Sequence, residues 1–303
     1  MVRWTTTAEV IPLDAAPRLV TKGSTMQNTA HPSRLVLIGS AASQAMSPGL
    51  WNPVLGRLGT GWTYEAWDVP PDGDLVSVRD RLLEPGIIAA NVTMPHKHWA
   101  ADAADNATEE VLLGGACNLL LRSGSTLFGH NTDIMAARSL LGGEFQRNVL
   151  LMGAGGAARA VLIALKGKAG TVTISDRDPR AMEKLLGLAK ELGMAARSVD
   201  WDEARGLASE ASLLVNATPL GKSVSDGPVW GDGPLAPDAV VYDFVYAGHV
   251  TATIARARRL GARCIDGWDH LYGQAVAMVP LLGMDEQARE LLGESLVRVR
   301  SGA

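Results

Sequence analysis

A lysine and an aspartate end two short polar segments of the kind found in turns. Lys97 ends the segment Asn-Val-Thr-Met-Pro-His-Lys at residues 91–97, and Asp133 ends Gly-His-Asn-Thr-Asp at residues 129–133. A lysine beside a carboxylate can accept and relay the proton of a hydroxyl group while a hydride leaves the carbon that carries it. The two segments therefore predict proton transfer at an alcohol, and they leave open which residue takes the proton.

A glycine-rich loop with a nucleotide-binding pattern follows these segments. Residues 148–152 are an apolar run that leads into Gly-Ala-Gly-Gly-Ala-Ala at residues 153–158. This fits G-x-G-x-x-A between a strand and a helix, where small residues permit a tight turn and let a pyrophosphate approach the helix N-terminus. The predicted cofactor contacts in this loop are Gly153, Ala154, Gly155, Gly156 and Ala157.

Charged residues follow the next predicted strand, where dinucleotide folds bind the adenosine ribose. Asp176 comes first, and Arg177 and Asp178 come after it. A carboxylate there hydrogen-bonds the 2′-hydroxyl of NAD and repels the 2′-phosphate of NADP, whereas an arginine attracts that phosphate. Because two carboxylates flank one guanidinium, the cofactor is predicted to be NAD or NADP, with NAD favoured.

Apolar runs alternate with helical patterns along most of the chain. In the first half the pattern predicts strands at 34–39, 62–67 and 86–91, a helix opened by Pro48, and a helix at 75–83. In the second half it predicts strands at 148–152, 171–175, 211–215, 239–243 and 263–265, helices at 156–167 and 179–192, and two more between 267 and 300. Such alternation is typical of α/β folds with mostly parallel sheets, whose ligands bind at the strand ends.

Length and composition narrow the function classes. A chain of 303 residues favours two domains, and the first 33 residues, rich in Thr, Ala and Pro, are expected to be a loosely ordered extension. A net charge of −4 without basic runs argues against nucleic acid as a partner. Two distant cysteines, Cys117 and Cys264, predict neither a disulfide nor a metal site. No apolar run approaches the about 20 residues that span a bilayer, so a cytoplasmic protein without a membrane partner is expected.

Six motifs in chain order resemble those of the shikimate dehydrogenase family, with its quinate and aminoshikimate relatives. The segments at 91–97 and 129–133 resemble the family's Asn-Val-Thr-x-Pro-x-Lys and Gly-x-Asn-Thr-Asp. The other four are Gly-Ala-Cys-Asn at 115–118, Asn-Ala-Thr-Pro-Leu-Gly at 216–221, Tyr-Asp-Phe-Val-Tyr at 242–246, and Ile-Asp-Gly at 265–267 followed by Gln274. The resemblance covers nearly the whole chain, from about residue 35 to about residue 285.

The resemblance implies an α/β protein of two domains with a cleft between them. Residues 34–132 plus 268–303 would form the substrate-binding domain, and residues 133–267 a Rossmann-like, doubly wound dinucleotide-binding domain. Lys97 and Asp133 become the catalytic pair. The implied substrate contacts are Ser47, Asn91, Thr93, Asn118, Tyr246 and Gln274. The further implied cofactor contacts are Asn216, Ala217, Thr218, Val245 and Gly267.

The implied activity is NAD(P)-dependent interconversion of shikimate, or a close cyclic polyhydroxy acid, with its 3-dehydro form in aromatic amino acid biosynthesis. A monomer or homodimer is expected. The chain departs from the family pattern at Ala45, where a serine that binds the substrate carboxylate is usual, and at Lys222 and His270, where methionine is common. Quinate and aminoshikimate therefore stay open as substrates. A nucleotide-bound sensor without turnover is the alternative of another class, and retention of the Lys97 and Asp133 pair argues against it.

Overall fold

The computed structural model describes residues 9–10, 32–143 and 145–302. The chain divides into two compact units, one made of Met1–Thr132 with Gln274–Ala303 and the other of Asp133–Gly273. Each unit contains one β-sheet rich in parallel strands, so the predicted α/β class is confirmed. The chain re-enters the first unit at Gln274, whereas the sequence interpretation placed this point at residue 268.

The first unit has a seven-stranded mixed sheet. Its strands are β1 (Glu9–Val10), β2 (Arg34–Gly39), β3 (Thr63–Asp68), β4 (Ile87–Val92), β5 (Asn106–Ala107), β6 (Leu119–Ser123) and β7 (Thr126–His130). Its first four helices are α1 (Ser47–Arg57), α2 (Leu75–Leu82), α3 (Lys97–Ala103) and α4 (Glu109–Gly114). The strand order is β1-β5-β7-β6-β4-β2-β3, and β6 pairs antiparallel with both of its neighbours. Because β2 and β4 pair in parallel, their carboxyl ends lie side by side.

Apolar side chains of β2 and β4 form the centre of the first unit's core. Val36 and Ile38 from β2 pack with Ala90 and Val92 from β4, and all four are almost fully buried. The strand ends also meet closely, because a β-carbon on Gly39 would lie 2.3 Å from the Thr93 side chain. Only glycine fits at the end of β2, which brings the residue after β4 against it.

The second unit has a six-stranded sheet in which every pairing is parallel. Its strands are β8 (Gln146–Met152), β9 (Ala169–Ser175), β10 (Ala195–Ser198), β11 (Leu213–Asn216), β12 (Val240–Asp243) and β13 (Arg263–Ile265). Its helices are α5 (Thr132–Leu141), α6 (Gly156–Ala164), α7 (Pro179–Glu191), α8 (Trp201–Gly206) and α9 (Ala252–Arg259). The helix α10 (Gly267–Leu281) begins in the second unit and belongs to the first from Gln274 onward, as does α11 (Glu286–Ser301). The order β10-β9-β8-β11-β12-β13 is the 3-2-1-4-5-6 order of doubly wound dinucleotide folds.

The elements differ from the sequence interpretation at several places, and the strand β10 and the helices α8 and α9 are among those that were not predicted. The antiparallel hairpin of β6 and β7 was not predicted, and it makes the first sheet mixed. Two residues of the expected N-terminal extension, Glu9–Val10, form a strand parallel to β5. Most of that extension, residues 1–8 and 11–31, lies outside the described residues. Within the described part of the chain, no helix combines the length and apolar character needed to cross a membrane.

Candidate active site

The turn between β4 and α3 carries Thr93 and Lys97. Its first hydrogen bond is from the Thr93 N–H to the Ile38 carbonyl at 2.8 Å. The Met94–Pro95 peptide is cis, and the buried His96 bonds the Val69 carbonyl through Nε2 at 2.8 Å. Lys97 is the first residue of α3 and is half-buried. Both ends of this turn are thus fixed to neighbouring elements of the first unit, which limits where the ammonium group can lie.

Three of the expected substrate contacts belong to one hydrogen-bonded group in the first unit. The buried Asn91 accepts a bond from the Tyr64 hydroxyl at 2.6 Å and donates to the Asn118 carbonyl at 3.2 Å. The Asn118 side chain accepts from the Thr132 N–H at 2.7 Å. The Thr132 hydroxyl lies 3.4 Å from Oε1 of Gln274. This group, hereafter the amide group, consists of Tyr64, Asn91, Asn118, Thr132 and Gln274.

Sequence reasoning missed two members of the amide group. Burial raises the pKa of Tyr64 far above its usual value, so its phenol keeps the proton that it donates to Asn91. Thr132 stands inside the motif at 129–133, and its bonds with Asn118 satisfy backbone groups at the start of α5. Thr132 could have been found from the motif, whereas Tyr64 sits in β3 without a local signal.

Ser47 lies on a separate element, where it is the first residue of α1 and is followed by Pro48. It is half-buried and takes no part in the bonds that join the amide group. Ala45 is also half-buried, and a serine at that position would add a hydroxyl there. The nearby Ser43 hydroxyl does not replace it, since it donates to Asp68 at 2.6 Å.

The glycine-rich loop of the second unit lies at the centre of its sheet. It follows β8 directly, and Ala217 follows the neighbouring β11, where its N–H bonds the Met152 carbonyl at 2.8 Å. Gly153 has a φ of +107°, and a β-carbon there would lie 2.8 Å from the Ala217 backbone. Gly155 and Gly156, by contrast, face open space at the start of α6. In folds with this strand order, ligands bind where the order reverses, between the first and fourth strands.

Asp176 joins the glycine-rich loop to the segment after β9. Its Oδ2 accepts from the Ala154 N–H at 2.7 Å, and its Oδ1 accepts from the Asp178 N–H at 2.8 Å. The Asp178 carboxylate accepts from the Arg180 N–H and caps α7. Arg177 is exposed. The Asp176 carboxylate is therefore held beside the loop.

Asn216 and Asp243 connect the ends of β11 and β12. The Asn216 side chain accepts from the Thr218 hydroxyl at 2.7 Å and donates to Asp243 at 2.8 Å. Asp243 also accepts from the Val245 N–H at 3.0 Å and from the Thr251 hydroxyl at 2.6 Å. Burial raises the pKa of Asp243, although these three bonds act in the opposite direction. The structure thus brings together Asn216, Thr218 and Val245, three of the implied cofactor contacts.

Tyr246 follows β12, and Gly267 follows β13, the neighbouring strand of the sheet. A β-carbon on Gly267 would lie 2.5 Å from the carbonyl carbon of Val245, so only glycine permits this approach. The Tyr246 ring is 40% exposed, and its centroid lies 5.6 Å from that of Trp268. The second unit therefore contains Tyr246, which the sequence assigned to substrate, beside two residues that it assigned to the cofactor.

Asp133 contacts His270, which the sequence analysis noted only as a departure from the family pattern. Nε2 of His270 lies 3.4 Å from Oδ1 of Asp133, and Nδ1 of His270 lies 2.6 Å from the Tyr242 hydroxyl. The Phe244 ring centroid lies 4.5 Å from the centroids of both Tyr242 and His270. Tyr242 opens the motif at 242–246 but was given no role there, and it is buried in β12.

His96 and His130 are both buried. The His130 ring packs against Phe128 at a centroid distance of 4.9 Å, and both ring nitrogens lack a hydrogen-bond partner. Burial lowers the pKa of His130 to about 4, so the ring is neutral near pH 7. His130 is a core residue beside the motif that ends in Asp133.

Comparison with known proteins identifies relatives over most of the chain. A family model described as the shikimate dehydrogenase substrate binding domain matches residues 37–120. Shikimate dehydrogenase (NADP(+)) of Geobacter metallireducens is 35% identical over 250 residues, which are 79% of this chain and 87% of the relative. The enzyme of the same name from Sphingopyxis alaskensis is 35% identical over 271 residues, 84% of this chain and 95% of the relative.

Solved structures show the same architecture. Shikimate 5-dehydrogenase from Thermus thermophilus, in complex with NADP(H) and shikimate, superposes with a TM-score of 0.71 at 29% identity. That comparison covers 87% of this chain and 99% of the solved one. A shikimate dehydrogenase in complex with NADP+ gives a TM-score of 0.75 at 26% identity, with 87% and 96% coverage.

Proposed function

This chain belongs to the shikimate dehydrogenase family, and we propose that it interconverts shikimate and 3-dehydroshikimate with a nicotinamide dinucleotide as hydride carrier. The amide group of the first unit carries the proposal. It presents Asn91, Asn118 and Gln274, side chains suited to hydroxyl groups of a sugar-like ring, around Thr132, the residue before Asp133. The relatives named for this activity match over most of their length.

The proton is handled by Lys97 and Asp133. Lys97 ends a turn that is anchored through Thr93 and His96, and Asp133 stands in the first turn of α5. Oxidation of the ring alcohol moves the hydroxyl proton to this pair as the C–H bond gives up its hydride. Ketone reduction runs the same transfer in reverse. Positioned proton transfer of this kind contributes about 10²- to 10⁴-fold to a rate.

The glycine-rich loop fits a dinucleotide. The space that a β-carbon at Gly153 would fill is closed by Ala217, whereas Gly155 and Gly156 leave the N-terminus of α6 open to an anion. When bound, the nicotinamide ring supplies the hydride acceptor. Asn216, Thr218 and Val245 hold the neighbouring strand ends, and we infer that they border the same ligand.

We infer a preference for NAD over NADP, although the relatives carry NADP(+) in their names. The Asp176 carboxylate is held beside the glycine-rich loop by two N–H groups. A negative charge in that place repels a 2′-phosphate and accepts from a 2′-hydroxyl. Asp178 adds a second carboxylate to the segment at 176–178, which contains one guanidinium, that of Arg177.

Quinate or an aminoshikimate is the second candidate substrate, and the departures from the family pattern at Ala45, Lys222 and His270 keep it open. Ala45 alone does not choose among these acids, because each of them carries a carboxylate. A serine hydroxyl at this half-buried position would donate to a substrate carboxylate, and alanine removes that bond. A hydrogen bond to a charged group is worth about 1.5–3 kcal/mol, so shikimate would bind about ten- to a hundredfold more weakly unless another group compensates. A monomer or homodimer in the cytoplasm remains the expectation for the assembly and its location.

A substrate and cofactor matrix tests the proposal. The measurement is steady-state kcat/KM for shikimate, quinate and an aminoshikimate, each with NAD and with NADP. We expect shikimate with NAD to give the highest value. In Asp176→Asn the ratio of NADP to NAD kcat/KM should rise about tenfold or more, while Asp202→Asn, an exchange in α8, should leave the ratio unchanged. If the unchanged protein prefers NADP, the inferred preference for NAD is wrong, while the proposed reaction is not affected.

A further inference from the structure

Tyr242, His270 and Asp133 form a hydrogen-bonded row in the second unit. They come from three different elements: β12, α10 and α5. The inner bond, from Nδ1 of His270 to the Tyr242 hydroxyl, is 2.6 Å, and the outer contact, from Nε2 to Asp133, is 3.4 Å. The latter is at the long end of the hydrogen-bond range, as is common in active sites without substrate. The His270 and Asp133 side chains are only 12% and 16% exposed.

The chemistry of the two neighbours fixes the direction of both bonds. An ionised carboxylate only accepts hydrogen bonds, so Nε2 of His270 must carry the hydrogen that points at Asp133. In the neutral ring, Nδ1 is then an acceptor and takes the Tyr242 proton. Burial raises the pKa of Tyr242 far above its usual value, and the charges of Asp133 and Asp269 act in the same direction. The phenol therefore keeps its proton and remains the donor.

Packing holds the imidazole in the orientation that both bonds need. Phe244 stacks against Tyr242 with 11° between the ring planes and contacts His270 at 54°. The His270 N–H bonds the Asp266 carbonyl at 3.1 Å in the first turn of α10. With its backbone and ring both fixed, His270 can direct an N–H at one oxygen of Asp133.

We propose that Tyr242 and His270 are a positioning pair that orients the Asp133 carboxylate for proton handling. The inference rests on the proposed function, because Asp133 needs orienting only if it acts on a proton. His270 acts through Asp133 and is a positioning residue. The carboxylate oxygen that faces His270 is then fixed. A methionine, the residue common in the family at this place, could not donate to Asp133 and would offer Tyr242 only a weak thioether acceptor.

Three variants test the pair in the full-length protein. His270→Met removes the donor to Asp133 and leaves Tyr242 only a weak thioether acceptor, whereas His270→Gln keeps both bonds, since an amide can accept from Tyr242 and donate to Asp133. We expect kcat for shikimate oxidation to fall about tenfold in His270→Met, with both KM values within about twofold, and to recover to within about threefold in His270→Gln. Tyr242→Phe should lower kcat about threefold in the unchanged protein and not at all in the His270→Met background.

The tautomer of His270 gives a readout that does not depend on turnover. Nitrogen-15 NMR of the protein without substrate should show the hydrogen on Nε2, with the signal assigned by its loss in His270→Gln. The hydrogen on Nδ1 would overturn the proposal, whether or not shikimate is turned over. If the unchanged protein does not oxidise shikimate, the proposed function fails, and the tautomer still decides on the pair.

Each kinetic outcome has a defined meaning as well. Unchanged kcat in His270→Met would overturn the proposal. It would also be overturned if Tyr242→Phe lowered kcat by the same factor in the unchanged protein and in His270→Met. A His270→Gln variant as slow as His270→Met would also contradict positioning, since a ring that must take up the proton cannot be replaced by an amide. Should His270→Met fail to fold, His270→Gln and Tyr242→Phe decide on their own, because the pair requires the first to be near normal and the second to be slower.

Discussion

Lys97 and Asp133 are held in place by different kinds of contact. The turn before Lys97 is fixed by the backbone of Thr93 and the ring of His96, whereas Asp133 has a side-chain contact with His270. A proton-transfer residue must lie within hydrogen-bond reach of the reacting group, so its anchoring matters as much as its pKa. Loss of an anchor should therefore lower kcat more than it weakens substrate binding.

Removal of the Lys97 ammonium group should abolish most of the chemistry. In Lys97→Ala we expect kcat for shikimate oxidation to fall by about 10²- to 10⁴-fold, the usual contribution of a positioned acid or base. Nucleotide affinity, measured by titration, should not change. Lys184→Ala, which removes an exposed lysine of α7, is the matched control. Near-normal turnover in Lys97→Ala would exclude the mechanism.

Ala45 provides a test in which activity should increase. Ala45→Ser adds a hydroxyl at a half-buried position two residues before Ser47. If both face the substrate carboxylate, KM for shikimate should fall about tenfold, the value of one hydrogen bond to a charged partner, with kcat nearly constant. The exposed Ala41→Ser in the same segment should have no effect. An unchanged KM in Ala45→Ser would separate this position from carboxylate binding.

At the scale of elements, the sequence predicted structure best where a pattern is local. The strands that continue into glycine, at Arg34–Gly39 and Gln146–Met152, were found because an apolar run is followed by a residue that permits a tight turn. The strands Leu119–Ser123 and Thr126–His130 were missed, since they are short and their ends contain site motifs. Their hairpin does have a local signal that was overlooked, the two-residue Gly-Ser turn at 124–125 with Gly124 at a φ of +62°, whereas the pairing of β6 with β4 joins segments distant in sequence.

The candidate site divides in the same way. The glycine-rich loop and Asp176 were predicted because a strand, a loop and a helix follow one another within a short segment. The contact of Tyr242 with His270 joins residues 28 positions apart on a strand and a helix. It depends on how α10 packs on the end of the sheet, which neither segment reveals alone.

Alanine substitutions at two glycines of the loop should impair different properties of the protein, its stability in one case and nucleotide binding in the other. Gly153→Ala places a β-carbon 2.8 Å from the Ala217 backbone at a φ of +107°, so it should lower the free energy of unfolding by about 1–3 kcal/mol. Gly155→Ala meets open space, so stability should be kept while KM for the nucleotide rises, because the pyrophosphate needs a close backbone approach. Denaturant unfolding and steady-state kinetics separate the two effects. Equal stability of both variants would contradict the conformation described for the loop.

At the scale of the whole molecule, acid should destabilise the first unit through His130. Its pKa is 6.5 in the unfolded chain and is lowered to about 4 by burial, so the unfolded state binds the proton first as the pH falls. The contribution is fully present above pH 6.5 and is lost progressively down to about pH 4. It amounts to about 3 kcal/mol, at 1.36 kcal/mol for each pKa unit.

A neutral replacement at this position should remove that part of the pH dependence. Comparing about pH 7 with about pH 4, the free energy of unfolding of His130→Leu should fall about 3 kcal/mol less than that of the unchanged protein. The exposed His98→Leu serves as control and should follow the unchanged protein. Parallel pH dependence of the unchanged protein and His130→Leu would mean that the ring is not buried in its neutral form.

Turnover of shikimate by the unchanged protein tests the central claim most directly. Formation of reduced nucleotide would be followed with shikimate and NAD, and with shikimate and NADP, beside Asp133→Asn in the same assay. The account predicts shikimate-dependent reduction with at least one nucleotide, and a kcat lower by about 10²-fold or more in Asp133→Asn. No reduction of either nucleotide by a folded protein that still binds one of them would contradict it, and would favour a nucleotide-bound sensor.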